Sequence, residues 1–178
     1  PILKQNQIRS ELEKYISGLD YEKNYSPEIT RNILDVLKSA SKNTDPYKEE
    51  KDLGNEEMLN RYSEFQQTIT NSKNPFNTAL RLAVAGNIID FGPTHQFDIS
   101  ETIERVMESK FAFDHSEQLK IEIGKAKSIL YLGDNCGEVV LDKHFLETIN
   151  HPNVYFAVRE KPILNDVTKK EALEVGID

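Results

Sequence analysis

Two turns, each closing an apolar run with an acidic residue, carry the side chains best suited to chemistry. The first is Leu-Gly-Asp-Asn-Cys-Gly-Glu, Leu132 to Glu138. Its apolar run, Ile129 to Leu132, stops at Gly133, and a helical pattern starts near Gly137, so Asp134 and Asn135 occupy a strand-to-helix turn. Open α/β sheets hold their ligands at such turns. The second follows the same plan: Val154 to Val158 reads as a buried strand, Arg159 to Asn165 as a loop, and Asp166 stands just before a helix over about 167–175. A helix joining two such strands makes them parallel, so both turns open on one edge and Asp134 is expected near Asp166. Neighbouring strands lie about 4.8 Å apart, and two bare carboxylates about 4 Å apart repel by roughly 4 kcal/mol at an effective dielectric of about 20. A cation between them is therefore expected. The oxygen set of Asp134, the Asn135 carbonyl and Asp166, with no His or thiolate at matching spacing, suits Mg²⁺ or Mn²⁺ better than a structural zinc. The competing reading makes both Asp residues ordinary turn and helix-capping groups.

Other polar residues fall where they could serve the same edge. Backbone N–H groups of Cys136 to Val139, at a helix start, offer an anion site, and Arg159 could grip the same anion with its fork or pair with an acidic neighbour. Glu138 either answers the helix dipole or orients a water. In the first half, Asn87 falls inside the apolar stripe of a helix from Pro75 to about Phe91, with Asp90 three residues on. A buried amide and carboxylate need hydrogen bonds or a ligand, so an interhelical bond, a helix-end cap and a substrate contact all remain open for them. Tyr47, Lys51 and Asn55 recur every four residues, so they share a helix face that either meets a phosphate or faces solvent.

Those residues need a scaffold, and the chain supplies one that changes character midway. Helical spacing runs through residues 3–19, from Ser26-Pro27, from Asp45-Pro46 to about Ile69 and from Asn74-Pro75. Three cap-plus-proline starts make the first part helical, with Ser26 as one cap. Gly92-Pro93 then ends a helix, which places a boundary near residue 95. Asp98 opens another helix, and residues 115–127 a shorter one. The expected organisation is a helical domain over 1–95 and an α/β domain over 96–178, incomplete at its C-terminus: the chain begins at Pro1, and Ile177 and Asp178 read as the opening of a further strand. His95, His115, His144 and His151 share no ligand spacing and are expected at the surface.

The 178 residues are 38% hydrophobic with a formal charge of −8. That balance argues against nucleic acid as the main partner and is consistent with a site needing a cation. No run is long and apolar enough for a membrane span. One cysteine, Cys136, rules out an internal disulfide framework and fits a reducing cytoplasm.

The ordered motifs Asp45-Pro46-Tyr47 with Lys51 and Asn55, Ala85-Gly86-Asn87-Ile88-Ile89-Asp90-Phe91-Gly92, Leu132 to Glu138, Val158-Arg159 and Pro162 to Thr168, and Glu174 to Asp178 resemble the damage-control phosphatases, formerly domain of unknown function eighty-nine, in their stand-alone prokaryotic branch. The resemblance covers nearly everything from Asp45 onwards. It implies an α/β fold with a helical part and a Rossmann-like part, and a phosphatase that acts on small phosphorylated metabolites with a divalent ion, Mn²⁺, Mg²⁺, Co²⁺ or Ni²⁺. It implies that Asp134, Asn135 and Asp166 hold the metal. The family's Cys-x-x-Cys and its C-terminal strands, with a Lys beside a Gly-rich turn, are absent from this sequence. Catalysis is then expected of Asp134, Asp90 and Asn87, with Asp90 or an outer carboxylate as base, and phosphate binding of Arg159, Asn87, Lys51 and Asn55. The alternatives are a methyltransferase using S-adenosylmethionine or another nucleotide-binding enzyme, although Gly133 to Gly137 lacks the G-x-G-x-x-G spacing, and a metal-binding module without catalysis.

Overall fold

The computed structural model describes residues 2–20, 22–89 and 99–178. Among the described residues there are nine helices and one two-stranded sheet. They form two compact units, residues 1–47 with 162–164, and residues 48–161 with 165–178. The division does not follow a boundary near residue 95; residues 90–98, which include Gly92-Pro93 and the Asp98 cap, lie outside the described residues.

The first unit holds α1 (Ile2–Ser17) and α2 (Ser26–Ser41). Pro27 stands in the first turn of α2 as its fixed φ favours. Ser26 makes no side-chain cap; the Tyr25 carbonyl instead accepts from the Glu28 and Ile29 N–H groups at 3.0 and 3.1 Å. Asn32 donates to the Tyr15 hydroxyl at 2.8 Å, which ties α2 to α1. Lys38 donates to the Pro162 carbonyl. Leu34 is the one buried apolar side chain among this unit's described residues.

The second unit carries α3 (Lys48–Asn60), α4 (Tyr62–Asn71), α5 (Pro75–Ile88), α6 (Ile99–Glu108), α7 (Ser116–Lys125), β1 (Ile129–Leu132), α8 (Glu138–Ile149), β2 (Val154–Ala157) and α9 (Lys169–Glu174). The long helix expected to reach Ile69 is two, parted at Arg61, where φ −97° and ψ 4° leave the helical region. Met58 is buried before the break, Phe65 and Ile69 after it. At the start of α5 the Asn74 side chain accepts from the Asn77 N–H at 3.2 Å, with Pro75 following, the cap its sequence predicts.

The site is built on the approach of α5 to α8. A Cβ at Gly86 would stand 3.1 Å from the Cα of Glu138, so the two backbones pass almost in contact. Phe76, Ala79, Leu82 and Ala83 of α5 join one core with Val139, Val140, Leu141 and Phe145 of α8. That shared core is the physical reason α3 to α5 fold with the α/β part rather than as a separate helical domain.

The strands are parallel, with Ile129 opposite Val154 and Leu132 opposite Ala157. They are not buried throughout, as a continuous apolar run suggests. Tyr131 and Phe156 turn to the core with rings stacked at 5.6 Å, while Leu130, Leu132 and Tyr155 are about two-thirds exposed on the other face. His144 corrects the expectation of four surface histidines: it is wholly buried and stacks on Tyr62 at 4.0 Å. His115 is exposed, His151 half-buried, and His95 lies outside the described residues.

Candidate functional site

The turn after β1 is shaped by what cannot fit in it. The Phe156 ring stands where a Cβ on Gly133 would fall, 2.4 Å away, so only glycine lets the chain leave the strand there. Gly137, at φ 86°, then turns the chain into α8. Backbone bonds stitch this turn to the one after β2. The Val167 N–H donates to the Asp134 carbonyl at 2.7 Å, Cys136 to Asn165 at 2.9 Å and Arg159 to Val167 at 3.0 Å. Asn135 and Asp166 thus face each other in an isolated antiparallel bridge, and both acidic turns lie on one edge of the sheet.

The side chains on that edge are carboxylates met by donors. Asn87, at the end of α5, donates to Glu138 Oε2 at 3.2 Å and to Asp134 Oδ2 at 3.5 Å. The Asn135 amide donates to the same two oxygens, both at 3.3 Å. Asp166 accepts from Arg159 Nε at 2.7 Å. Burial pushes the Glu138 carboxyl above its usual range, and the Asp134 charge adds to the shift against the pull of the two amides. Burial likewise raises Asp166; Arg159 opposes that shift and Asp134 reinforces it. Asp134 thus acts on both neighbours, although it is itself exposed.

Among the described residues no three His, Cys, Asp or Glu side chains gather into a ready metal cage. The turns instead offer oxygen donors of mixed kind, the carboxylates of Asp134 and Asp166 and the amide oxygen of Asn135, with Glu138 behind. All the donors now facing these carboxylates carry partial or full positive charge, which is the chemistry a hard divalent ion would supply more strongly.

Other expectations move. Lys51 does not meet the open edge: it is fully buried and pairs with Glu171 at 2.9 Å. Asn55 is buried too, and its Oδ1 accepts from the Gly137 N–H at 2.6 Å. Three of the four N–H groups expected to offer an anion site at the start of α8 are engaged within the protein, since Cys136, Gly137 and Val139 donate to Asn165, Asn55 and Asn135. Asn87 is exposed rather than inside the stripe, because the face of α5 against α8 is centred on Leu82 and Gly86, and the next residue lies about 100° round. Asp90 lies outside the described residues. The cap of α9 is Thr168, in a capping box with Glu171, not Asp166.

One buried group escaped the sequence reading. Asp142, one turn beyond Glu138, is 1% exposed; its Oδ1 accepts from the Tyr131 hydroxyl at 2.6 Å and its Oδ2 has no partner. Its signal was a lone carboxylate between Leu141 and Phe145 in an otherwise apolar helix face.

The sequence profile of the damage-control phosphatase ARMT1-like domain matches residues 2–178. The chain is 33% identical over 165 residues to the damage-control phosphatase PH1575 of Pyrococcus horikoshii, covering 89% of this chain and 56% of that protein. It is 27% identical to a damage-control phosphatase of Archaeoglobus fulgidus over 84% of this chain and 52% of the relative. The crystal structure of PH1575, described as a DUF89 family protein, superposes with a TM-score of 0.80 at 29% identity, covering 99% of this chain and 62% of that one. The chain therefore spans about half the length of the curated relatives it matches. Both the motifs on the two stitched turns and the match along the whole chain lead to one assignment: this chain belongs to the damage-control phosphatase ARMT1-like domain family.

Proposed function

We propose that this chain provides the metal-holding half of a phosphatase acting on small phosphorylated metabolites, sugar phosphates or damaged phosphometabolites. The observation that carries the reading is the stitched pair of turns, which bring Asp134, Asn135 and Asp166 to one edge beside Asn87, Glu138 and Arg159. Two relatives named damage-control phosphatases support the reaction class.

Asp134, Asn135 and Asp166 would hold a divalent ion, Mn²⁺, Mg²⁺, Co²⁺ or Ni²⁺. Such an ion polarises a phosphoryl oxygen and makes water a better nucleophile near neutral pH. Arg159, with its side chain 57% exposed, carries the charge that binds the phosphoryl group. Glu138 would take a proton from an incoming water; in support, its carboxylate shares both amides with Asp134 and so lies beside the proposed ion ligand. Asn87 holds Glu138 in position from the end of α5 and contacts a substrate hydroxyl from the exposed rim. The stitching matters here as much as the donors: it fixes the backbone of both turns, so substrate binding need not order them.

The test is phosphate release from a panel of sugar phosphates with each of the four metals. Asp134→Ala, which removes an exposed carboxylate but keeps the carbonyl bonded to Val167, should lower the rate more than about a hundredfold with the melting temperature little changed. Release at the wild-type rate would refute the assignment.

A further inference from the structure

We infer that Asn55, although buried, is a positioning residue for the reaction: by holding the Gly137 N–H it sets where Glu138 presents its carboxylate. The inference rests on the role given to Glu138 above and goes beyond it by naming what fixes that role in space.

The helix α8 begins at a residue that cannot cap it. Gly137 stands at the N-cap position, with no side chain and with φ 86°, and glycine leaves the torsions on either side of it free to swing. The backbone bonds that stitch the two acidic turns together reach only as far as Cys136. The bond from the Val139 N–H to the Asn135 carbonyl closes a loop around this point. Inside that loop, the peptide between Cys136 and Gly137 is held by a side chain from elsewhere: Asn55 Oδ1 accepts from the Gly137 N–H at 2.6 Å, across 82 residues of sequence. Glu138 is the next residue.

Asn55 can serve because its own helix is fixed. One turn earlier Lys51 is fully buried and pairs with Glu171 at 2.9 Å, and three residues later Met58 is fully buried as well. Asn55 itself is buried, so solvent does not compete for its oxygen. From α5, a Cβ at Gly86 would stand 3.1 Å from the Glu138 Cα and 3.2 Å from its Cγ. Such packing limits how near Glu138 comes but does not aim it, because a van der Waals contact has no direction and a hydrogen bond has one. The aim matters. Glu138 Oε2 accepts from the Asn87 amide at 3.2 Å and from the Asn135 amide at 3.3 Å, and a misplacement of about 1 Å can cost on the order of a hundredfold in rate.

Steady-state phosphate release, with the folding of each variant checked by its melting temperature, tests the role. Asn55→Leu, which keeps nearly the same shape and removes the acceptor, should lower kcat about tenfold to a hundredfold with KM little changed. Asn55→Asp, which keeps an oxygen for the Gly137 N–H, should restore most of the loss. A double-mutant cycle separates positioning from general damage: in a Glu138→Gln background, Asn55→Leu should have almost no further effect. A second readout needs no turnover. The side-chain amide resonances of Asn87 and Asn135, which report the Glu138 carboxylate, should shift in Asn55→Leu. Asn55→Ala carries the same comparisons should Asn55→Leu not fold. Wild-type kcat in Asn55→Leu, a fall as large in the Glu138→Gln background as in wild type, or side-chain amides left unmoved overturns the positioning role and leaves the proposed phosphatase standing. Glu138→Gln at the wild-type rate, or a wild-type protein that releases no phosphate from the panel, overturns the role of Glu138 and that of Asn55 together.

Discussion

Two buried titratable residues on α8 work against each other as pH changes. His144 is wholly buried with neither ring nitrogen partnered, and burial pushes its imidazole down from 6.5 to about 4. The unfolded chain takes up that proton near pH 6.5 while the folded chain refuses it, so His144 contributes stability that is complete above 6.5 and is lost as pH falls towards 4. Asp142 is the reverse case. Burial pushes its carboxyl up from 3.8 to about 7, and the bond from Tyr131 only partly offsets this. The folded chain keeps a proton that the unfolded chain gives up near 3.8, so this contribution is complete at low pH and lost as pH rises towards 7. At 1.36 kcal/mol per pH unit, the His144 swing is about 3 kcal/mol and the Asp142 swing about 4 kcal/mol, of opposite sign. Wild type should therefore show little net slope from this pair. Urea unfolding at about pH 7 and about pH 4.5, compared with wild type so that the remaining carboxylates cancel, should show His144→Leu gaining stability on acidification and Asp142→Asn losing it. Slopes parallel to wild type in both variants would refute the opposition.

The elements around the site are locked by contacts distant in sequence, and this is where spacing misled. The four-residue interval of Lys51 and Asn55 reports a shared face of α3, and they do share one. It cannot report what lies opposite, because their partners, Glu171 and Gly137, are 120 and 82 residues away. A lysine on a polar helix face reads as solvated until a buried carboxylate is found for it. Glu171 is that carboxylate: burial raises its pKa, but the bonds from Thr168 and Lys51 outweigh this and hold it at about 2. The pair joins α3 to the capping box that starts α9, the helix following Asp166. Cutting it on one side leaves the buried Glu171 carboxylate with only Thr168 and the more distant, exposed Lys170 at 3.7 Å, so Lys51→Met should cost about 3 kcal/mol in urea unfolding. The double variant Lys51→Met with Glu171→Gln, which strands no charge, should recover most of that loss. Equal destabilisation in single and double variants would show the pair to be incidental. The turns themselves were legible, since Gly133, Gly137 and two acidic residues after apolar runs are local signals, as were the helix start at Asn74-Pro75 and the parallel pairing of β1 with β2.

Over the whole molecule, burial is divided far more unevenly than hydrophobic spacing suggests. Residues 3–41 repeat apolar residues at helical intervals as regularly as the later helices do, and α1 and α2 form accordingly. Periodicity states which face would be buried, not whether anything covers it. Among described residues of the first unit Leu34 alone is buried, with Ile16 at 43% and Leu37 at 36% exposure, whereas the second unit joins fifteen buried residues, Met58 to Val175, in one cluster. The same limit applies to the strands, whose apolar runs hid the exposed face of Leu130, Leu132 and Tyr155. Local opening free energies follow buried apolar contact. Native-state hydrogen exchange should therefore find the amides of α2 opening at free energies well below those of α5 and α8, with the Val167 and Cys136 amides, which stitch the two turns, among the slow group. That ordering matters for the site: if the stitching amides exchange late, the acidic turns are held in place before any ligand arrives. Exchange of those two amides as early as α2 would mean that the turns are ordered only by what binds them.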